Sequence, residues 1–157
     1  MFKHPIKVSD IPPQELQELF LLWQNIRGDK SMPCRKDFRP AAVPSLLPNV
    51  SLVDVENDPR RYRFRLVGTA TVKAMGRDVT GQYMDQIPGM MTMKERYDWL
   101  VENKTPYLYK GQLVWSEKSF LDYYAIGLPF SEDDSTVNLI MYGMYYLFPD
   151  HDRTIAP

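Results

Sequence analysis

The run Arg61 to Leu66 constrains this chain more than any other, because Tyr62, Phe64 and Leu66 alternate in it with Arg61, Arg63 and Arg65. A period of two puts the apolar side chains on one face of an extended strand and the guanidinium groups on the other. Just upstream, Glu56, Asn57, Asp58 and Pro59 carry the residue types of a turn, and Val50 to Val55 reads as an apolar strand before it. Together they predict an antiparallel hairpin with one face on a core.

Around the hairpin the period changes to that of helices. Pro12 and Pro13 open a stretch in which Leu16, Leu19, Phe20, Trp23 and Ile26 recur at helical spacing, closed by Arg27 and Gly28. Proline at the start and glycine at the end bound an amphipathic helix. Leu21 and Leu22 widen its apolar stripe, which either packs on the rest of its own domain or pairs with a second copy. Prolines 33, 40, 44 and 48 then allow a punctuated connector with one helical turn from Val43 to Leu47. Between Gly68 and Asn103 short helical pieces are expected, at Thr71–Met75 and Met93–Asn103, followed by strands at Tyr107–Ser116, Ser119–Phe130 and Thr136–Phe148. The last strand is apolar on both parities, so it should be central and covered on both faces. The predicted class is α+β, divided into a flexible start (1–11), a flanking helix (12–28), a connector (29–47), a core (48–148) and a tail (149–157).

Helix, two strands, a block of short helices and three strands is the order of PAS domains, and the residues carry the resemblance further. The run LQELF..W...RG....P.R.DF.P from Leu16 to Pro40, LLPNVSLVDV from Leu46, PRRYRFRLVGT from Pro59 and GRDVTG from Gly76 resemble a bacterial, largely alphaproteobacterial, family of stand-alone PAS domains. The resemblance extends more weakly through Trp115 to the LPFS at Leu128 and the final strand. It implies a five-stranded antiparallel sheet whose helices enclose a cavity. It also implies a sensory, regulatory role played through partner proteins or small ligands, and it supplies no catalytic residues.

Composition narrows the function classes. The 157 residues suit one domain, 44% hydrophobic and 25% charged, as in ordinary globular chains. Nineteen basic against twenty acidic residues leave a formal charge of −1 with no basic run, so nucleic acid lacks an electrostatic footprint to bind. The longest apolar stretch, Val137 to Phe148, is shorter than the roughly 20 residues a membrane helix requires. With no apolar signal region at the start and a lone Cys34, a cytoplasmic setting is expected.

Cofactor chemistry is tested by its ligands. Haem needs an axial group, and His4 and His151 lie in the terminal segments. No cysteine lies between Gly68 and Asn103 to serve as the reactive thiol of a flavin photoreceptor or to link a chromophore. GRDVTGQY at Gly76–Tyr83 lacks the Lys and Ser or Thr of a phosphate loop. One Cys and two His build no conventional zinc site. Cys34 has no histidine placed beside it as a base, and Glu132, Asp133 and Asp134 occupy a predicted turn without the spacing of a calcium loop. Neither catalytic residues nor a metal or resident cofactor is therefore expected; a non-covalent small ligand stays an open alternative.

The aromatic and methionine content is the distinctive remainder. Tyr62, Phe64, Met75, Tyr97, Trp115, Tyr124 and Met141 fall in elements that line a PAS cavity, where they either fill the core or frame a pocket for a small apolar or aromatic ligand. Met90, Met91 and Met93 could line its entrance or fill gaps. Leu16, Leu19, Phe20, Trp23 and Ile26 are the expected homodimer interface, and the Arg61, Arg63 and Arg65 face is either a solvated edge or a dock for an acidic signalling partner. A small-molecule carrier or small enzyme using the same cavity is the rival reading.

Overall fold

Strands β2 (Val50–Glu56) and β3 (Arg61–Leu66) form the hairpin that the alternation predicts, paired from Glu56–Arg61 to Leu52–Leu66. The computed structural model describes residues 1–113 and 121–148. Its other elements are strand β1 (Phe2–Lys3), helix α1 (Gln14–Arg27), helices α2 (Thr69–Met75) and α3 (Lys94–Asn103), and strands β4 (Tyr107–Gln112), β5 (Asp122–Phe130) and β6 (Leu139–Leu147). The strands make one antiparallel sheet in the order β1-β4-β5-β6-β2-β3. The expected extensions of β4 to Ser116 and β5 to Ser119 reach into the undescribed segment, as does the tail at 149–157.

Strand β6 lies inside the sheet, between β5 and β2, as its double-sided apolar pattern requires. Tyr142 and Gly143 point to opposite faces. A Cβ on Gly143 would come within 2.8 Å of Leu16 and 2.9 Å of Leu19, so glycine here lets α1 seat against the sheet. On the other face a Cβ on Gly127 would meet Leu100 at 2.7 Å and Tyr107 at 2.8 Å, and glycine gives α3 the same close approach. One face of the sheet is thus covered by α1 and the other by α2, α3 and the turns at Met84–Gln86 and Met90–Met93.

Two expectations about the N-terminal part are corrected. Residues 1–11 are no loose end: β1 pairs with β4 as a sixth strand, and the Met1 ammonium donates to the Lys110 carbonyl at 2.8 Å. The stripe of α1 is not a free dimer face, because Leu16, Leu19, Phe20 and Trp23 are all buried in the chain's own core, with Ile26 half-buried at its margin. Sequence periodicity reveals that a helix has an apolar face but not which surface covers it. The connector, for its part, is tied to the turn before β6. Met32 and Phe38 are buried, the Ser131 N–H donates to the Pro33 carbonyl at 2.9 Å, and the Asp134 carboxylate accepts the Met32 N–H at 2.9 Å.

Trp23 locks the far end of the helix by donating its indole N–H to the Pro129 carbonyl at 2.9 Å. The Asn138 N–H donates to the Phe130 carbonyl, so Phe130 turns its carbonyl toward β6 and Pro129 turns its own away, where the indole meets it.

If α1 is core, the two faces of the helix must respond differently to truncation. Leu19→Ala should cost about 2–5 kcal/mol as a buried cavity, and Leu21→Ala, on the exposed side, less than about 0.5 kcal/mol. Denaturant midpoints measure both, and equal shifts would place α1 off the sheet.

Candidate functional site

The cavity face of the sheet is defined by register. Tyr142 on β6 pairs with Gly127 on β5 and Ser51 on β2, and Tyr107 on β4 pairs with Gly127, so these positions share the face away from α1. Here Phe64, Val67, Thr71, Met75, Val79, Met90, Met93, Tyr97, Tyr142, Met144 and Ser51 line a small apolar cavity of about 20 Å³. That is room for about one water molecule. The site is filled by its own side chains.

Among the positions expected to line it, Phe64, Met75 and Tyr97 do so, and Tyr62 packs edge-on to Tyr97 with ring centroids 5.2 Å apart. Tyr124 and Met141 do not. Tyr124 pairs with Tyr145, and Met141 lies two residues from Gly143, so both point to the α1 face; Tyr124 carries the Lys110 ammonium over its ring at 5.4 Å. In a strand apolar on both parities the pattern does not say which parity faces which layer. Trp115 falls outside the described residues.

The structure adds Tyr142 and Met144, the opposite parity to Met141, and Val67. A bulge accounts for the last: β3 pairs Leu66 with Leu52 but Phe64 with Val53, leaving Arg65 as the extra residue. Leu66, expected on the core face, is therefore 39% exposed, and Val67 is 8% exposed and lines the cavity. The two glycines that mark close approach, Gly127 and Gly143, were the sequence signal able to assign the faces.

Tyrosine hydroxyls supply the polar atoms of this face. Tyr97 stacks on Tyr142 at 4.5 Å, Tyr142 and Tyr107 share a hydrogen bond at 2.9 Å, and Tyr146 and Thr71 share another at 2.9 Å. Tyr62 donates to the Asp98 carboxylate, which also accepts from Lys94 at 2.6 Å. At the β4 end the Arg96 guanidinium lies 3.7 Å from the centre of the Tyr109 ring. Burial pushes the Tyr62, Tyr97, Tyr107, Tyr142 and Tyr146 phenols upward, with the Asp98 hydrogen bond adding to the rise at Tyr62. The methionines behave as gap-fillers at Met90 and Met93, both buried, whereas Met91 is 49% exposed.

The three arginines of β3 share a face, and each already has a partner. Arg61 makes a two-pronged pair with Asp85 at 2.8 and 2.9 Å and stacks 3.7 Å over the Tyr83 ring, Arg65 pairs with Asp54 at 3.0 Å, and Arg63 donates to the Gly81 carbonyl at 3.2 Å. An acidic partner would have to displace these contacts. Cys34 sits away from the cavity, within 3.2 Å of the Asp37 carboxylate that Lys30 also grips. That hydrogen bond from Lys30 holds the Asp37 carboxyl down at about 2. Among the described residues no three His, Cys, Asp or Glu side chains gather to hold a metal ion.

A family model described as a PAS domain matches residues 11–141. The chain belongs to the PAS domain family. This PAS domain is also similar in structure to a sensory box sensor histidine kinase from Vibrio cholerae, at 16% identity and a TM-score of 0.47, covering 70% of this chain and 92% of that one. A comparison with curated proteins finds no match. The antiparallel sheet with helices on the cavity side is the PAS-like architecture that the element order implies, with β1 as a sixth strand beyond the five expected.

The buried phenols fix how this PAS domain should respond to base. In the folded state they keep protons that an unfolded chain releases near pH 10, so their stabilisation is complete below about pH 10 and is lost as pH rises beyond it. Denaturant midpoints should stay level from about pH 7 to about pH 9 with respect to these groups and then fall. Tyr97→Phe, which keeps the stacked ring and removes one such phenol, should flatten the fall. A slope identical in the two proteins would mean that Tyr97 ionises without unfolding.

Proposed function

We propose that this chain is a non-catalytic sensory PAS module whose output is contact with a signalling protein and whose input is a small apolar or aromatic ligand admitted to the cavity. The observation that carries the reading is the lining itself. Met75, Met90, Met93 and Met144 surround a void of about 20 Å³, and unbranched methionines repack to admit a guest more readily than β-branched residues. Entry of a ring-sized ligand would move Tyr97 and Met93, and with them α3 and the turn before it, which links occupancy to the outer surface. The lining holds no carboxylate, imidazole, thiol or amine, which supports binding over catalysis. The partner contact would not use the stripe of α1, and a second copy of the chain would have to bind elsewhere.

The same lining supports the absence of a His-ligated haem or photochemical flavin, since no His or Cys among the described residues faces the cavity and His4 instead packs against Trp99, ring centroids 4.4 Å apart. An absorbance spectrum of the freshly purified protein should lack a Soret band and a structured blue flavin band. Either band would defeat this part of the proposal.

Native mass spectrometry of protein purified from its own cells should reveal a small apolar adduct, and added indole should raise the melting temperature of adduct-free protein. Absence of both effects removes the ligand from the reading. Conversion of the adduct to a product would replace the sensory role with an enzymatic one.

A further inference from the structure

On the α1 side of the sheet, away from the sensing cavity, lies a second concavity of about 190 Å³. Its walls are Pro5 and Ile6 of the N-terminal segment, Phe20, Trp23, Gln24 and Arg27 of α1, Ser31 of the connector, and Lys104 to Pro106 between α3 and β4. The charged side chains in this lining are Arg27 and Lys104, both cationic. Ion pairs among the described residues join Lys3 to Asp10, Lys30 to Asp37, Arg61 to Asp85, Arg65 to Asp54 and Lys94 to Asp98, so neither cation is neutralised by one of them.

Arg27 is the more informative of the two. Its Nε is shut off from water and has no hydrogen-bond partner among the described residues, an unsatisfied state that an acceptor would relieve. Its guanidinium lies over the Trp23 ring at 5.4 Å, and Trp23 is itself fixed by its bond to the Pro129 carbonyl. A planar fork held this way is arranged in advance for the two oxygens of an oxyanion. Ser31, Thr105 and Gln24 offer further donors, and Phe20, Ile6 and Pro106 form an apolar floor. Asp134 is engaged with the Ser31 and Met32 N–H groups at 3.2 and 2.9 Å, and no carboxylate is part of the lining.

We propose that this cleft binds a small oxyanion, a carboxylate or a phosphate, between Arg27 and Lys104. Its volume falls below the roughly 300 Å³ at which sites for drug-sized ligands begin, which limits the guest to inorganic phosphate or a short-chain acid. Bound there, the anion would tie the N-terminal segment, α1 and the α3–β4 connection together at one point.

The test is an NMR titration of the full chain with sodium phosphate and, separately, sodium propionate, at constant ionic strength made up with sodium chloride. The Arg27 Nε–H and Trp23 indole N–H resonances should shift and saturate with at least one of the two. Phosphate alone, propionate alone or both then names the source of the oxyanion. Lys104→Gln, an exposed change that leaves folding intact, should weaken that binding about tenfold, the loss expected of one charge-assisted partner. Arg27→Gln should weaken it at least as much, and Lys36→Gln, an exposed cation outside the cleft, should leave it unchanged. Shifts that never saturate, that spread over all surface cations, or that survive Lys104→Gln unaltered would overturn the proposal.

Discussion

Everything in this PAS domain is arranged about two consecutive residues of the central strand, Tyr142 and Gly143. Because side chains alternate across a sheet, one residue of the pair has to fill a face and the other has to vacate the opposite one. Gly143 vacates: without a Cβ it admits Leu16 and Leu19 to the sheet surface, and α1 becomes half of the core. Tyr142 fills: its ring stacks on Tyr97 of α3 and its hydroxyl reaches Tyr107 of β4. Gly127, paired with Tyr142, leaves the space that this ring, Leu100 and Tyr107 occupy. Two glycines on adjacent strands therefore set the distance at which helices close on the sheet from either side.

The chemistry of the cavity follows from that closure. Side chains of intermediate size and high flexibility, methionine above all, take up the irregular space between a twisted sheet and short helices. Tyrosines supply area together with a polar atom, and burial obliges each polar atom to find a partner. The pairs Tyr107–Tyr142 and Tyr146–Thr71 meet that demand within the protein. A ligand entering here would exchange packing for packing in an apolar site and would need no ionised group to hold it.

Charge is treated in the opposite way on the two outer surfaces. Along β3 the arginines are matched locally by Asp85, Asp54 and a backbone carbonyl, so an alternation that looks like a positive strip in one dimension is largely compensated in three. In the cleft beneath the C-terminal end of α1, Arg27 and Lys104 come together without a matching carboxylate in the lining. Sequence spacing could not have brought them together, because they lie on segments joined only by folding.

By itself the sequence determined the types and order of the elements from α1 onward, though not strand β1. Period-two alternation at Arg61–Leu66, helical spacing from Leu16 to Ile26, and the double-sided apolar run of β6 are local consequences of backbone geometry, which a one-dimensional pattern records faithfully. Through the resemblance to PAS domains it also pointed to cavity positions, of which Phe64, Met75 and Tyr97 line the cavity. Tertiary structure alone decided the rest. It turned Tyr142 rather than Met141 toward the cavity, exchanged Leu66 for Val67 through a bulge, and laid the stripe of α1 on its own sheet rather than on a second chain. Each of these depends on which surface lies opposite, and burial is a relation between distant segments that no local period encodes.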